Sequence, residues 1–466
     1  MPRQNLYTVL CTVLGCVLLG ASAASVQPPH TPPVTHGISA GDVTSTSAVI
    51  WARTDRNANM HVFLHGDTPP ALHTTPVRAA HDYAGKILLT HLRPNTAYRY
   101  TVWFTDTPHP HTERPPGVHG TFRTAPLPSS PQAVTFAWSG DLAGQNVCRD
   151  ATEGFATLRA VNALALDFFI GLGDIIYADN TCTATGLYGN AQVPGDFGPA
   201  VTLEDFWAHW KYTRADAGFQ RLTARTAYYA VWDDHEVIND FGPLTDHSQT
   251  SPYTGEPLLP NGLAAFLDYN PIPQPALTPK RLYRNIPWGR HLELFLLDTR
   301  QYRDANVLAD DATFPKTMLG REQLVWLKTR LKASTATWKL IVTSVPMSIP
   351  TGFPPENGRD GWANADQDTG FEHELLDILH FLNDEHIANT VWITTDVHFA
   401  TGFRYHPFPA SPQFTVSASR TRYTRRGCLP SGRRASTPSP PLPTPKPSST
   451  SASARSTPAA SSPLPL

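Results

Sequence analysis

The sequence predicts an α/β fold with a small antiparallel β-sandwich in front of it, and three observations carry that reading. From Ala133 to about residue 420, apolar strand-like runs alternate with helical patterns. Four of those runs end in carboxylates or imidazoles: Val134–Trp138 into Gly140-Asp141, 167–172 into Gly173-Asp174, Ala230–Trp232 into Asp233-Asp234-His235, and Thr390–Ile393 into Asp396-Val397-His398. Ahead of them, Ser47–Arg53 and Tyr98–Trp103 alternate apolar with polar residues, as half-buried strands do.

Residues 1–23 read as a secretory signal: Arg3 is the basic start, Leu6–Leu19 the apolar core and Ala21-Ser22-Ala23 the small-residue cleavage site. The apolar run is short for a membrane span, so no transmembrane helix is expected in the mature chain, which is then secreted, periplasmic or extracellular. Residues 36–125 form the β-sandwich, and Leu92–Tyr98 resembles the turn and tyrosine corner of fibronectin type III modules. Pro126–Pro131 is a linker. Residues 133–420 are the α/β domain, with helices expected over Thr152–Leu166 and Gly320–Ala333 and a loop beside the site opening over 242–285. Residues 421–466, rich in Ser, Pro and Arg, lack the apolar content to bury a core and are expected to be disordered, with no part in the site.

A net charge of −2 over 466 residues gives no bias toward nucleic acid, and no nucleic-acid-binding module is expected. Of five cysteines, Cys11 and Cys16 leave with the signal and Cys428 is the odd one. Cys148 and Cys182 follow the first two acidic loops and can pair across the site rim in an oxidising compartment; the alternative is two free thiols.

Each acidic loop taken alone is bland, because Gly-Asp after a strand is most often a turn. Four of them at strand ends point instead to a two-metal site in the crevice beyond the carboxyl edge of the sheet. Carboxylates and imidazoles are the ligands that hard and borderline cations take, and one Asp can bridge two ions. Two ions about 3.5–4 Å apart can stabilise the attacking and leaving oxygens of a phosphoryl displacement.

At these residues the chain resembles the PhoD-like alkaline phosphatase and phosphodiesterase family, within the calcineurin-like and purple-acid metallophosphatases. The matching segments are 140–144, 173–177, 232–236 and 396–398, supported by Leu296–Arg303, Met318-Leu319-Gly320 and Asp360-Gly361-Trp362. The resemblance implies a four-layer metallophosphatase sandwich, two mixed sheets flanked by helices, preceded by the fibronectin-III-like sandwich. It implies that Asp141, Asp174, Tyr177 and His398 hold Fe3+, with Asp174 bridging, and that Asp234 and Asp396 complete a Ca2+ or other divalent site. His235 would stand at the leaving group, and Arg300 or Arg303 would neutralise a phosphate oxygen unless occupied by a salt bridge to Asp298. The implied activity is hydrolysis of phosphate monoesters, diesters or both, by a monomer, through in-line attack of a metal-bound hydroxide.

Two departures bear on the metals. Well-known members place Cys in a Ser-Cys-Gln setting where Ser139-Gly140-Asp141 stands here, and carboxylate is the harder ligand. After the run 339–344 the chain continues Val345-Pro346-Met347, without the further His of the generic pattern, so the second site suits calcium or magnesium better than zinc. The competing class is a catalytically silent cell-surface binding protein on the same fold. A silent relative should have lost one of Asp141, Asp174, Asp234, Asp396 or His398, and all are present.

Overall fold

Burial alternates along the strands in a way that sets the layers. Phe168, Ile170 and Leu172 share one apolar cluster with Leu292, Leu294 and Leu296, whereas Phe169 joins a second cluster and Phe295 a third. A strand whose side chains alternate into two different apolar layers is covered on both faces, so it reads as an unbroken apolar run.

The computed structural model describes residues 31–66, 71–106, 116–142, 144–244, 252, 258–349, 351, 360–363, 370–398, 400–408, 416–420 and 452–456. The expected signal, residues 1–23, lies outside the described residues. In chain order, seven strands come first: β1 (Thr35–Gly41), β2 (Ala48–Arg53), β3 (Ala58–His65), β4 (Ala71–Val77), β5 (Ala84–Leu89), β6 (Ala97–Thr105) and β7 (Val118–Arg123). There follow β8 (Val134–Ser139), α1 (Ala156–Val161), β9 (Phe168–Leu172), α2 (Leu203–Arg214), α3 (Ala217–Arg225), β10 (Ala227–Val231), α4 (Leu258–Tyr269), β11 (Arg284–Trp288) and β12 (Leu292–Leu296). The last are α5 (Gly320–Ala333), β13 (Trp338–Val342), α6 (Glu372–Asp384), β14 (Thr390–Thr394), β15 (Thr401–Tyr405), β16 (Val416–Arg420) and β17 (Ala452–Ser456).

One sheet has the order β17-β8-β9-β10-β1-β2-β5 and another β11-β12-β13-β14-β16-β15. Both mix parallel and antiparallel pairs, with β8, β9 and β10 parallel in the first and β12, β13 and β14 parallel in the second. The cluster between them contains Phe136, Trp138, Tyr229, Trp288 and Ile393. On the outer faces, residues of α1–α4 pack in the second cluster and of α5 and α6 in the third. This is the expected four-layer arrangement of two mixed sheets between helices.

The third sheet, β4-β3-β6-β7, faces β1, β2 and β5 across Ile50, Met60, Val62, Ile87, Tyr100 and Phe122. The Arg93 N–H donates to the Tyr98 hydroxyl at 2.8 Å, closing the tyrosine corner. The sandwich strands run on into the larger sheet through one parallel pair, Gly41 with Tyr228. The linker over 126–131 therefore marks a seam in the sequence while the core continues across it.

Three expectations are corrected. The helix expected over Thr152–Leu166 shortens to α1, because the Asp150 carboxylate accepts the N–H groups of Thr152 and Glu153 and Gly154 takes φ +64°. The stretch 242–285 contains the helix α4, whose Pro260 lies in the first turn, where a missing N–H costs nothing. In the tail, Ala452–Ser456 pairs antiparallel with β8, Ala452 opposite Trp138 and Ser456 opposite Val134. Ladder pairing uses backbone groups and needs no apolar periodicity, so this strand carries no apolar signal. Truncation after Arg420 should accordingly uncover the β8 edge, lowering the melting temperature and promoting aggregation. Unchanged melting and light scattering would show that β17 contributes nothing.

Cys148 and Cys182 are disulfide-bonded across a sequence separation of 34 that encloses the second acidic loop, 173–177. Replacing both by Ser should cost about 2–5 kcal/mol, read as a drop in melting temperature that reductant reproduces in the parent.

Candidate metal centre

The four acidic loops leave the carboxyl ends of β8, β9, β10 and β14, and the backbone there is unusual. Asp141, Asp174, Asp396 and His398 all have positive φ, between 50° and 75°. A run of non-glycine residues in that region is strain that the surroundings must impose, and it clusters at functional sites. Crowding explains part of it. A Cβ on Gly140 would meet the Thr395 hydroxyl and lie 2.9 Å from the Gly173 carbonyl, so only glycine lets these three loops approach. The Leu142 N–H donates to the Asp174 carbonyl at 2.8 Å, and the Thr395 hydroxyl donates to Asp141.

The donors converge in overlapping groups. Ligand atoms of Asp141, Asp174 and His398 lie within 4.8 Å of one another, as do those of Asp174, Asp234 and His235, and those of Asp233, Asp234 and Asp396. Asp174 thus belongs to two groups at once. Tyr177 stands beside the first, its hydroxyl 3.2 Å from His398 Nε2, with its ring 4.1 Å from that of His235. Asp141, Asp174, Asp234 and Tyr177 are buried, whereas the His398 side chain is 40% exposed and opens the centre to solvent.

Electrostatics make this arrangement costly without cations. Burial, followed by Asp234, Asp233 and Asp141, pushes the Asp174 carboxyl well above its ordinary value. Burial and neighbouring carboxylates do the same to Asp396, and burial raises Asp141. The Tyr177 phenol is likewise pushed far up by burial and by Asp174, so phenolate there requires a strong cation. Oδ2 of Asp174, of Asp233 and of Asp396 are buried and have no hydrogen-bond partner among the described residues. Buried polar atoms are normally paired, and an oxygen-rich set with orphaned carboxylate oxygens fits hard cations.

His235 is held from behind. Its Nδ1 is 2.7 Å from Asp179 Oδ1, and Asp179 also accepts the Asn239 N–H at 3.2 Å. Burial pulls the imidazole down, yet Asp234 and Asp179 outweigh it and hold His235 at about 9. Glu236 is the fastener between two loops: its carboxylate accepts the N–H groups of Asp174 at 3.0 Å, Ile175 at 2.9 Å and Asp233 at 2.7 Å. Asp179 and Glu236 escaped the reading of the sequence. Glu236 lay in plain view at the end of Trp-Asp-Asp-His-Glu, but a carboxylate that serves backbone amides has no spacing of its own.

Arg300 is the clear correction. Expected against a phosphate oxygen, or else paired to Asp298, it is fully buried, with its guanidinium on Asp360 and Asp233. Asp298 instead accepts from Trp232 Nε1 at 2.9 Å and from the Arg300 backbone N–H at 3.1 Å. Arg303 is also buried, on Asp360.

Two mixed sheets between helices, with carboxylates gathered from four strand ends, define a metallophosphatase-type sandwich. The chain belongs to the PhoD-like phosphatase family: that family's model matches residues 136–421, and the model of its N-terminal domain matches residues 20–126. Among characterised relatives, alkaline phosphatase D of Bacillus subtilis (strain 168) is 26% identical over 412 residues, covering 80% of this chain. The chain spans 66% of that relative's length. A solved structure of PhoD superposes with a TM-score of 0.70 at 22% identity, covering 85% of this chain and 78% of the other. A purple acid phosphatase from yellow lupin (Lupinus luteus) seeds superposes at 0.54 with 12% identity, covering 84% and 65%. Both likenesses are of fold. Family membership and the donor set agree on metal dependence.

Proposed function

We propose that the protein is a secreted, metal-dependent phosphoric ester hydrolase acting on monoesters, diesters or both. The observation that carries this reading is Asp174, buried and shared by two donor groups, as a bridging carboxylate must be. Asp141, Asp174, Tyr177 and His398 would hold one cation and Asp174, Asp234 and Asp396 the other. The phenol favours Fe3+ at the first, and the all-oxygen donors favour Ca2+ at the second. The two bound cations would supply a water of lowered pKa and neutralise charge on the phosphate.

The chain's own part is positioning and proton transfer. Asp179 fixes His235 Nδ1, which leaves Nε2 to serve the leaving oxygen. The disulfide supports an oxidising compartment and hence secretion. Among the described residues no helix is long and apolar enough to cross a membrane. A silent binding protein would have no need of a strained, orphaned carboxylate cluster.

The test is hydrolysis of nitrophenyl phosphate and bis-nitrophenyl phosphate by protein whose iron and calcium contents are measured in the same sample. His235→Asn should slow alkyl esters by roughly 10²–10⁴-fold and nitrophenyl esters, whose leaving group needs no proton, much less. No cleavage of either ester by fully loaded protein would overturn the proposal.

A further inference from the structure

We infer that Arg300, clamped by Asp360, is a positioning residue that sets Asp233 as a carboxylate for the second cation, beside Asp234. This rests on the two-cation reading above and adds to it the device that holds the second site in shape. Arg300, Asp233, Asp234 and Asp360 are all buried. The Arg300 guanidinium is engaged on all three nitrogens. Nε donates to Asp233 Oδ1 at 2.5 Å, Nη1 to the Phe241 carbonyl at 3.1 Å and to Asp360 Oδ1 at 2.6 Å, and Nη2 to Asp360 Oδ2 at 2.7 Å. Asp234 Oδ1 lies 3.6 Å from Nη2, an ion-pair distance, and accepts the His235 N–H at 3.0 Å. Four N–H···O contacts to protein acceptors, made with no exposure to solvent, turn the guanidinium away from any substrate oxygen.

The geometry is directional. The fork onto Asp360 fixes the guanidinium plane, and that plane in turn fixes Asp233 through Nε, while Asp234 is held by the His235 and Asp240 N–H groups. Asp360 is itself held by Arg303 Nη1 at 2.5 Å and Asn306 Nδ2 at 2.9 Å, so the clamp has a rigid base. With Arg300 and the Ser344 hydroxyl both on Asp233 Oδ1, the open valence of that carboxylate is Oδ2, buried and without a hydrogen-bond partner among the described residues. Ligand atoms of Asp233, Asp234 and Asp396 lie within 4.8 Å of one another. Groups that orient metal-ligating carboxylates from behind typically govern affinity by 10–100-fold.

Arg303 supplies the comparison. It is as buried as Arg300 and holds the same Asp360, but among the described residues its ion pairs do not reach Asp233 or Asp234. Full-length protein carrying Arg300→Lys or Arg303→Lys is stripped of metal, reloaded with iron and dialysed against graded calcium chloride, with bound metals counted and melting curves recorded. Lysine keeps the charge and loses the fork. Arg300→Lys should weaken calcium binding by about 10–100-fold, leave iron stoichiometry unchanged and regain activity at high calcium. Arg303→Lys, which loosens only the base of the clamp and leaves the Arg300–Asp233 contact in place, should weaken calcium binding several-fold less than Arg300→Lys does. Equal weakening by both variants, or parent-like calcium binding by Arg300→Lys, would overturn the inference. Should Arg300→Lys not fold, Asp360→Asn removes the clamp's base while leaving Arg300 on Asp233, and parent-like calcium binding by that variant overturns the inference equally. The readout is binding, so a parent chain that takes up both cations yet cleaves no ester overturns the phosphatase reading while the clamp still stands or falls on these affinities.

Discussion

Asp174→Ala should remove both bound cations and ester hydrolysis together, with activity falling on the order of 10³-fold or more. Asp174 is the one carboxylate shared by the two donor groups that contain Asp141 with His398 and Asp234 with His235. It is fully buried, and its Oδ2 has no hydrogen-bond partner among the described residues. Removing it deletes a ligand from each site at once, which no other candidate does. The fold should survive, because the backbone N–H of residue 174 and that of Ile175 still donate to Glu236. Alanine at φ +51° is less well tolerated than aspartate, so a modest loss of stability is expected alongside. Asp174→Asn separates the two effects: it keeps a short polar side chain that accepts this backbone conformation, and loses the charge that bridges. Elemental analysis and hydrolysis rates on both variants check the expectation. A variant that keeps full metal content, or full activity in metal-free buffer, would sink the bridging role.

How much of this was legible in the sequence depends on the range over which each residue acts. The strand β9, Phe168–Leu172, showed itself because both its faces are buried and its polar break at Gly173-Asp174 is abrupt. The same holds for β10 and β14, and the ligand loops follow from where those strands end. The disulfide pairing was open because sequence spacing does not give the distance between Cys148 and Cys182. Helix α4 was hidden behind Pro260-Asn261-Gly262, a turn-like triplet that the first turn of a buried helix tolerates. Arg300 illustrates a deeper limit. Its carboxylate partners lie 67 and 60 residues away in the chain, and nothing local distinguishes a guanidinium that faces substrate from one locked behind the ligands. Asp360 was visible as part of Asp360-Gly361-Trp362, but its work as an anchor for two arginines is purely tertiary.

The pH dependence of stability should reverse sign when the cations are removed. In the metal-free chain, burial raises Glu236 to about 8 despite the backbone amides it accepts. Burial outweighs Arg300 at Asp233, which rises to about 7, and burial together with Asp360 and Asp234 takes Asp240 to about 7. Asp174 and Asp396 move in the same direction. Each of these groups binds its proton more tightly folded than unfolded, so the folded chain holds more protons between about pH 4 and about pH 8 and loses stability as pH rises through that window. His235, held at about 9, acts in the same sense: its stabilisation is complete below its ordinary value of 6.5 and disappears as pH rises through about 9. Asp360 runs the other way. Burial raises it but Arg300 and Arg303 win, so its contribution is present above its ordinary range and is lost only in strong acid. In the loaded protein the carboxylates must be ionised to bind, and binding to the folded state alone stabilises it increasingly as pH rises. A tenfold difference in proton affinity between folded and unfolded chain is worth ~1.4 kcal/mol. With several groups moving together, the metal-free protein should melt on the order of 5–10 °C lower at pH ~8.5 than at pH ~5.5. The loaded protein should melt no lower at the alkaline end. Melting curves across that range, with and without a chelator, make the comparison. Parallel curves would show that the cluster is not where the cations bind.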